Sequence, residues 1–190
     1  MRTEPYPKEA ESIQLYGDQW YTPDMDARWL LWKAVRCAGN ILEIGTNEGE
    51  TSRALASAFP DRRVWTVDFP GNPIIPDYQK DEVPTSDTIG RYCKDIPNVT
   101  LLIQDSKTLD YSAFDKVGLV FIDGDHSVDG VKLDSELALA YFANGGARPG
   151  CIVWHDYGVA ACGVTAYLDS RADLELVRVS GTPLVYVDFE

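Results

Sequence analysis

The sequence predicts an α/β fold: a single domain on one doubly wound, mostly parallel sheet of seven strands with a C-terminal antiparallel hairpin. From residue 41 onward, short apolar runs rich in β-branched residues alternate with helical stretches, which is typical of open α/β sheets. The last two apolar runs flank the turn sequence Ser180–Pro183, and this arrangement indicates a hairpin. A chain of 190 residues is long enough for one such domain with a substantial core.

The N-terminal residues 1–22 are polar with scattered aromatic side chains, and we expect an irregular arm or cap there. Thr22 and Pro23 predict the start of a helix, with Thr22 as its N-cap. Apolar side chains then follow at helical spacing and predict a packing helix. They are Met25, Trp29, Leu30, Leu31, Trp32 and Val35.

The strands after this helix are predicted from nearly continuous apolar runs, as expected of buried parallel strands. They are Ile41–Ile44, Val64–Val67, Val99–Ile103, Val117–Ile122 and Cys151–Trp154, followed by the hairpin strands Leu174–Val179 and Leu184–Phe189. The helical segments predicted between them are Glu50–Phe59, Thr85–Cys93, Tyr111–Phe114, Val128–Phe142 and Val159–Ser170. Lys132, Asp134 and Glu136 are expected on the solvated face of their helix. The proline-rich stretch 69–84 has no periodicity, and we expect a lid or substrate loop there.

Composition excludes several classes of protein. The chain carries 17 basic and 30 acidic side chains, a net charge of −13, so it would repel the phosphates of nucleic acids. It contains no apolar run long enough to span a membrane. The four cysteines form no Cys-x-x-Cys pair. Cys151 and Cys162 lie in apolar surroundings, so we expect buried free thiols in a reducing compartment, the cytoplasm.

The segment from Glu43 to Ser52 carries the strongest signal for a ligand. A buried strand runs into a turn with Gly45 and Gly49, and the turn opens a helix. In open α/β sheets ligands bind at the carboxyl ends of strands, and free N–H groups at a helix start can bind a carboxylate. The glycines of a dinucleotide fingerprint are missing. The pattern suits a ligand with a carboxylate and an ammonium, such as S-adenosylmethionine, although a ligand-free turn is the alternative.

The residues expected to bind this cofactor lie at three strand ends. On the turn they are Glu43, which could take the ammonium, with Gly45, Thr46 and Gly49. Asp68 ends the next strand and is placed to accept hydrogen bonds from both ribose hydroxyls. Asp105, followed by Ser106, ends the third strand and could reach the adenine amino group, although a simple helix N-cap is an equal alternative.

A cluster of ionisable residues follows the fourth and fifth strands. Asp123, Asp125 and His126 end one strand, and His155 and Asp156 end the other. The two histidines of the chain both fall in this cluster. Carboxylates so close together require a cation, and a divalent ion such as Mg²⁺ or Ca²⁺ would satisfy them. A histidine ligand would admit Mn²⁺ or Fe²⁺. His126 or Asp125 could act as general base. The alternative is that these residues only cap loops and satisfy hydrogen bonds.

Four segments together resemble the S-adenosylmethionine-dependent methyltransferases of the Rossmann-like class, over about residues 40–157. They are ILEIGTNEGETS, VDF, FIDGDHSVDGVKLDSELA and NGGARPGCIVWHDY. The closer resemblance is to the metal-dependent small-molecule O-methyltransferases, which include macrocin-type sugar enzymes and cephalosporin-hydroxylase-like proteins.

The resemblance implies roles for individual residues. Asp123 and Asp156 match metal ligands, and Asp123 also lies near the cofactor. His155 stands where the sugar enzymes usually carry an acidic ligand, so we expect the metal set Asp123, His155 and Asp156, with Mg²⁺ as the first candidate. Asp125 and His126 both match positions used as general base, and His126 ranks first because its ordinary pKa lies near neutrality.

The expected function is therefore methylation of a hydroxyl on a sugar or other small polar metabolite. An N-methyltransferase, a hydroxylase-like relative and a non-catalytic binding module are the alternatives. Little chain is left to build a substrate pocket, so we expect either a small substrate or a second subunit that completes the site in a homo-oligomer. Neither nucleic acid nor membrane is expected as a partner.

Overall fold

The computed structural model describes residues 1–15, 24–70 and 85–190, and this part of the chain forms one sheet of eight strands. In chain order the strands are β1 (Arg2–Glu4), β2 (Asn40–Ile44), β3 (Val64–Asp68), β4 (Val99–Ile103), β5 (Val117–Ile122), β6 (Gly150–Trp154), β7 (Val177–Val179) and β8 (Val185–Phe189). Across the sheet they lie in the order β1-β7-β8-β6-β5-β2-β3-β4. β8 runs antiparallel to β6 and β7, and the other pairings are parallel. The predicted fold class is confirmed, with one strand more than the predicted seven.

The additional strand, β1, lies in the segment expected to be irregular. It pairs in parallel with β7 at the edge of the sheet, through main-chain hydrogen bonds such as Arg2 N to the Leu176 carbonyl at 2.9 Å. A short helix, α1 (Lys8–Glu11), follows it. A strand of three residues made of Arg, Thr and Glu carries no apolar pattern, so only the main-chain pairing identifies it.

In the described ranges, four longer helices pack on the sheet: α2 (Asp24–Ala34), α3 (Glu50–Ala58), α4 (Val128–Ala143) and α5 (Val164–Ser170). The prediction of a helix over Thr85–Cys93 is wrong, because residues 86–95 form successive turns. The segment predicted at Tyr111–Phe114 is a short 3₁₀ helix over Tyr111–Ala113. None of the helices in the described ranges has the length and apolar character required to cross a membrane.

Two predictions fall on residues outside the described ranges. They are the helix start at Thr22 and Pro23, and all but the first two residues of the 69–84 loop. Within the described part of α2, the predicted apolar stripe is partly wrong. Trp29 and Leu30 are fully buried, whereas Met25 is 45% exposed and Val35, just after the helix, is 67% exposed.

The core has two layers, one on each face of the sheet. Alternate side chains of a strand point to opposite faces, and β2 illustrates this. Ile41 packs with Trp29 of α2 and Leu55 of α3 on one face, whereas Leu42 belongs to the cluster under α4 and α5. The indole N–H of Trp154 donates to the Ser135 hydroxyl at 2.8 Å and ties β6 to α4.

One buried acid of α4 contradicts the sequence prediction. Lys132 and Glu136 are exposed as expected, but Asp134 is only 1% exposed. Burial raises the pKa of Asp134 to about 6. Periodicity assigned its face wrongly because the short 3₁₀ segment Ser106–Thr108 packs against α4 and covers it.

The carboxyl ends of the central parallel strands meet at one edge of the sheet. Main-chain hydrogen bonds join them there: Asp123 N donates to the Ile44 carbonyl at 2.8 Å, and His155 N donates to the Ile122 carbonyl at 3.1 Å. The polar residues that follow β2, β5 and β6 are thereby brought side by side.

Candidate active site

The turn after β2 depends on two glycines with positive φ. Gly45 has φ +101°, and a Cβ added there would lie 1.9 Å from the carbonyl oxygen of Asp123. Gly49 has φ +88°, and a Cβ there would lie 2.4 Å from the sulfur of Cys93. Both positions require glycine on steric grounds alone. We call residues 45–49 the glycine turn.

Glu43 lies beneath the glycine turn and is only 1% exposed. Its carboxyl accepts hydrogen bonds from the Ser52 hydroxyl and, at 2.6 Å, from the Thr66 hydroxyl. Thr46 joins the same group through a 2.7 Å contact between its hydroxyl and that of Thr66. Burial raises the pKa of Glu43 to about 8, so its carboxyl is largely neutral at pH 7. Contact of Glu43 with an ammonium stays a prediction.

Asp68 at the end of β3 faces the glycine turn. Its two oxygens accept hydrogen bonds from Asn47 N at 2.6 Å and Phe69 N at 2.7 Å. Burial raises the pKa of Asp68, although these N–H groups oppose the shift. A carboxylate oxygen can accept more than one hydrogen bond, so both oxygens retain acceptor capacity. The predicted role in binding ribose is compatible with this geometry and stays a prediction.

Asp105 occupies the position that the helix-cap alternative requires. One of its oxygens accepts from Lys107 N at 3.0 Å, and it caps the 3₁₀ segment that begins at Ser106. The cap is therefore present. The roles of Asp105 and Ser106 near an adenine ring stay predictions.

The ends of β5 and β6 bring four ionisable residues together, which we call the rim cluster: Asp123, His126, His155 and Asp156. His126 Nε2 lies 3.3 Å from Asp123 Oδ1 and 3.0 Å from Asp156 Oδ2. His155 Nδ1 lies 3.4 Å from Asp123 Oδ1 and 3.1 Å from Asp156 Oδ1. The sequence placed all four on neighbouring strand ends, and the structure brings their polar atoms into contact.

Asp125 was predicted beside these residues but its side chain lies elsewhere. Its carboxylate accepts from Ser127 N at 2.9 Å and packs against Gly130 of α4, where an added Cβ would come within 2.3 Å of it. In this position Asp125 supports the start of α4. Its role as a base stays a prediction.

A residue that the sequence analysis missed completes the environment of His155. Asp26, in the first turn of α2, is 2% exposed, and its Oδ2 lies 3.2 Å from His155 Nε2. Both ring nitrogens of His155 therefore face carboxylates. Asp26 precedes His155 by 129 residues and sits in a helix that a local pattern assigns only to packing, so no sequence signal pointed to it.

The charges of the rim cluster stabilise one another. Burial disfavours the charged form of His155, but its carboxylate neighbours outweigh burial and raise its pKa well above the ordinary value. The same competition raises the pKa of His126. Burial likewise disfavours the charge on Asp123, yet the two imidazoles hold its pKa well below its usual range. When no metal is bound, protonated imidazoles therefore supply the positive charge that the carboxylates require.

Cys162 is a second residue at this site that the sequence did not indicate. It is half-buried, and its sulfur lies 3.9 Å from Asp156 Oδ2. Ligand atoms of Cys162, His126 and Asp156 lie within 4.8 Å of one another, as do those of Asp123, His155 and Asp156. The sequence predicts a buried free thiol at Cys162, whereas this free thiol is only half-buried and lies beside Asp156.

The chain is similar to known methyltransferases in sequence and in fold. Residues 42–157 match the family described as "Methyltransferase domain", which spans more than half of the chain and contains the glycine turn, Asp68 and the rim cluster. No curated protein sequence matches the chain significantly.

Several solved structures have a similar fold. An S-adenosylhomocysteine-bound methyltransferase from Podospora anserina, PaMTH1, is 14% identical with a TM-score of 0.62, covering 89% of this chain and 80% of its own. CalS11, a TDP-rhamnose 3′-O-methyltransferase of calicheamicin biosynthesis, is 14% identical with a TM-score of 0.61, covering 87% and 77%. TomG from Streptomyces achromogenes, an O-methyltransferase in complex with S-adenosylmethionine, is 19% identical with a TM-score of 0.55, covering 87% and 80%. At these identities the likeness establishes the fold.

Proposed function

The chain belongs to the methyltransferase domain family, and on this premise we propose that it uses S-adenosylmethionine to methylate a hydroxyl of a small polar metabolite or a sugar. The observation that carries the proposal is the glycine turn with Asp68 facing it, beside a charged rim at the same edge of the sheet. PaMTH1 and TomG hold S-adenosylhomocysteine and S-adenosylmethionine in their structures. CalS11 and TomG are O-methyltransferases, which supports oxygen as the acceptor atom.

The glycine turn would hold the methionine end of the cofactor. Without side chains at Gly45 and Gly49 the ligand can approach the backbone, and N–H groups at the start of α3 can bind its carboxylate. Asp68 would accept hydrogen bonds from the ribose hydroxyls with its remaining lone pairs. These contacts would fix the donor next to the rim cluster, and positioning of two reactants is a large part of catalysis of this kind.

The reaction needs an electrophilic methyl group, which S-adenosylmethionine supplies when bound. The bound donor would supply the methyl group and leave as S-adenosylhomocysteine, and a base of this chain would take the proton of the acceptor hydroxyl. His126 is favoured for that role by its place on the rim, whereas Asp125 lies against Gly130. The raised pKa of His126 works against its acting as a base at neutral pH, so both candidates stay open.

The proposal includes a divalent ion at Asp123, His155 and Asp156. The ligand atoms of these three residues are suited to a divalent ion, because they lie within 4.8 Å of one another and belong to two carboxylates and an imidazole. When bound, such an ion would lower the pKa of a substrate hydroxyl. Asp26 would then hold the outer nitrogen of His155, as carboxylates commonly do behind metal-bound histidines.

The same proposal covers partners and compartment. Its partner is a small hydroxylated molecule rather than nucleic acid, supported by the net charge of −13. A second copy of the chain could complete the acceptor pocket. All four cysteines are free thiols, which supports a reducing compartment such as the cytoplasm.

Calorimetric titration with S-adenosylmethionine and S-adenosylhomocysteine, with and without Mg²⁺, tests the proposal. We expect both to bind, and Asp68→Ala to weaken binding by at least about tenfold, as the loss of charged hydrogen bonds worth roughly 1.5 kcal/mol or more predicts. The matched control is Asp61→Ala. It removes an exposed carboxylate that precedes β3 and therefore lies at the amino-terminal ends of the strands, away from the candidate site. A wild-type protein that binds neither compound would overturn the proposal.

A further inference from the structure

A second group of metal-binding atoms lies beside the first and shares Asp156 with it. It consists of His126 Nε2, Asp156 Oδ2 and Cys162 Sγ. With Asp123 and His155, the site therefore offers two imidazoles, two carboxylates and a thiol. This mixture differs from an acidic cluster, because sulfur and nitrogen donors are not what Mg²⁺ or Ca²⁺ prefers.

The chain between β6 and α5 is folded to bring Cys162 back to the site. Asp156 has φ +63°, and Cys162 N donates to the Val159 carbonyl at 3.1 Å. The next residue, Gly163, donates to the His126 carbonyl at 2.6 Å. An added Cβ on Gly163 would lie 2.3 Å from Val128 N, so this loop packs tightly on the start of α4 and holds Cys162 beside His126.

The spacing of the donor atoms matches a coordination shell. In a tetrahedral zinc site with ordinary bond lengths, neighbouring donors lie about 3.4 Å apart, or about 3.6 Å when one is sulfur. In the group formed by His126, Asp156 and Cys162, the nitrogen and the sulfur lie 3.0 Å and 3.9 Å from Asp156 Oδ2. All three donor atoms lie within 4.8 Å of one another, so small side-chain rotations would place them around one ion.

We propose that Cys162, together with His126 and Asp156, ligates a divalent ion of borderline softness, represented by Zn²⁺, at the rim cluster. Thiolate and imidazole donors select such ions over Mg²⁺, which replaces the Mg²⁺ expectation from the sequence. His126 then serves as a ligand instead of a base. The inference rests on the proposed function, because it moves the ion proposed at Asp123, His155 and Asp156 to the neighbouring donor group that shares Asp156 with them.

Cobalt(II) is the probe for this site, since it replaces zinc and reports on a bound thiolate by a near-ultraviolet charge-transfer band. Co²⁺ is titrated into EDTA-treated full-length protein, followed by competition with Zn²⁺ and with excess Mg²⁺. We expect the band to appear, Zn²⁺ to abolish it and Mg²⁺ to leave it. Cys162→Ser should remove the band and weaken Zn²⁺ binding by at least about tenfold, whereas Cys37→Ser, at a buried cysteine of the opposite face, should retain both.

A measurement on the wild-type protein protects the test against misfolding of a variant. Zn²⁺ should slow alkylation of Cys162, located by peptide mass spectrometry, and should leave Cys93 unaffected. Co²⁺ binding without the band, or a band that survives in Cys162→Ser, would overturn the assignment of Cys162. Failure to bind Co²⁺ and Zn²⁺ would overturn the metal centre altogether. S-adenosylmethionine titrations on the same samples distinguish failure of the metal proposal from failure of the proposed function. If the cofactor binds but the cobalt–thiolate band is missing, the proposed function is retained and the assignment of Cys162 is overturned.

Discussion

The two halves of the candidate site lie at the same edge of the sheet but are held together by different forces. The glycine turn is fixed by the main chain: Gly45 N donates to the Val67 carbonyl at 2.9 Å, and Gly90 N donates to the Asn47 carbonyl at 2.8 Å. The rim cluster is fixed by side-chain charges from separate elements, with Asp26 contributed by α2. The turn should therefore be sensitive to added atoms, and the rim to changes in charge at constant shape.

The largest effect is expected from adding a side chain to the glycine turn. Gly45→Val should destabilise the fold by about 3 kcal/mol or more, because it combines overpacking with an unfavourable backbone conformation. The added carbon would meet the Asp123 carbonyl oxygen at 1.9 Å. Urea unfolding measures the loss, and cofactor binding should disappear with it.

Gly145→Val is the matched control for that substitution. Gly145 has a similar φ of +116°, but no atom of the described residues lies within 4 Å of an added Cβ, so only backbone strain of about 1–2 kcal/mol is expected. Equal losses in the two variants would show that strain alone, and not close packing of the turn against β5, explains the requirement for glycine.

A change of charge without a change of shape tests the rim cluster. Asp26→Asn should lower stability at pH 7 by about 2 kcal/mol, the value of a hydrogen bond to a charged group, and should lower the pKa of His155 because a facing carboxylate is lost. Urea unfolding and the imidazole resonances in NMR, on EDTA-treated protein, give the two readouts.

Asp24→Asn serves as the control for this change, since Asp24 is exposed in the same first turn of α2. An unchanged His155 pKa in Asp26→Asn would mean that Asp26 only packs, and the contrast between the two halves would fail.

The smallest effect is expected at Glu43, the buried carboxyl group beneath the glycine turn. The folded chain holds the proton of Glu43 to about pH 8, well above its ordinary pKa of 4.5. Between these values the unfolded chain binds fewer protons, so this group makes stability fall as pH rises, by about 1.4 kcal/mol from pH 6 to pH 7. Glu43→Gln should remove that part of the slope, measured by urea unfolding at several pH values.

Glu9→Gln, at an exposed position in α1, should leave the slope unchanged. If Glu43→Gln also leaves it unchanged, Glu43 is ionised in the folded protein, and the glycine turn would then be supported by a buried charge.

Much of the fold could be predicted because its signals are local. Buried parallel strands need continuous apolar runs, and such runs marked five of the eight strands and the hairpin. The helix at Thr85–Cys93 failed because Gly90, with φ +65°, interrupts it and because its main-chain groups bond to the glycine turn instead.

The candidate site also has a part that local sequence signals predict and a part that they do not. Gly45, Gly49, Asp68 and the four residues of the rim cluster could be predicted to lie close together because each lies at or shortly after the end of a strand, and parallel strands present their carboxyl ends at one edge. The sequence by itself therefore determined the fold class and the strand ends from which the site is built.

Only the tertiary structure decided what surrounds those residues. Asp26 contacts His155, which follows it by 129 residues, and a folded loop places Cys162 beside His126. The Asp125 side chain packs against Gly130, and β1 joins the sheet only through main-chain pairing with β7. The physical reason is that a local pattern records which face a residue buries, whereas charges and ligand atoms interact through space, and their partners are set by how the elements pack.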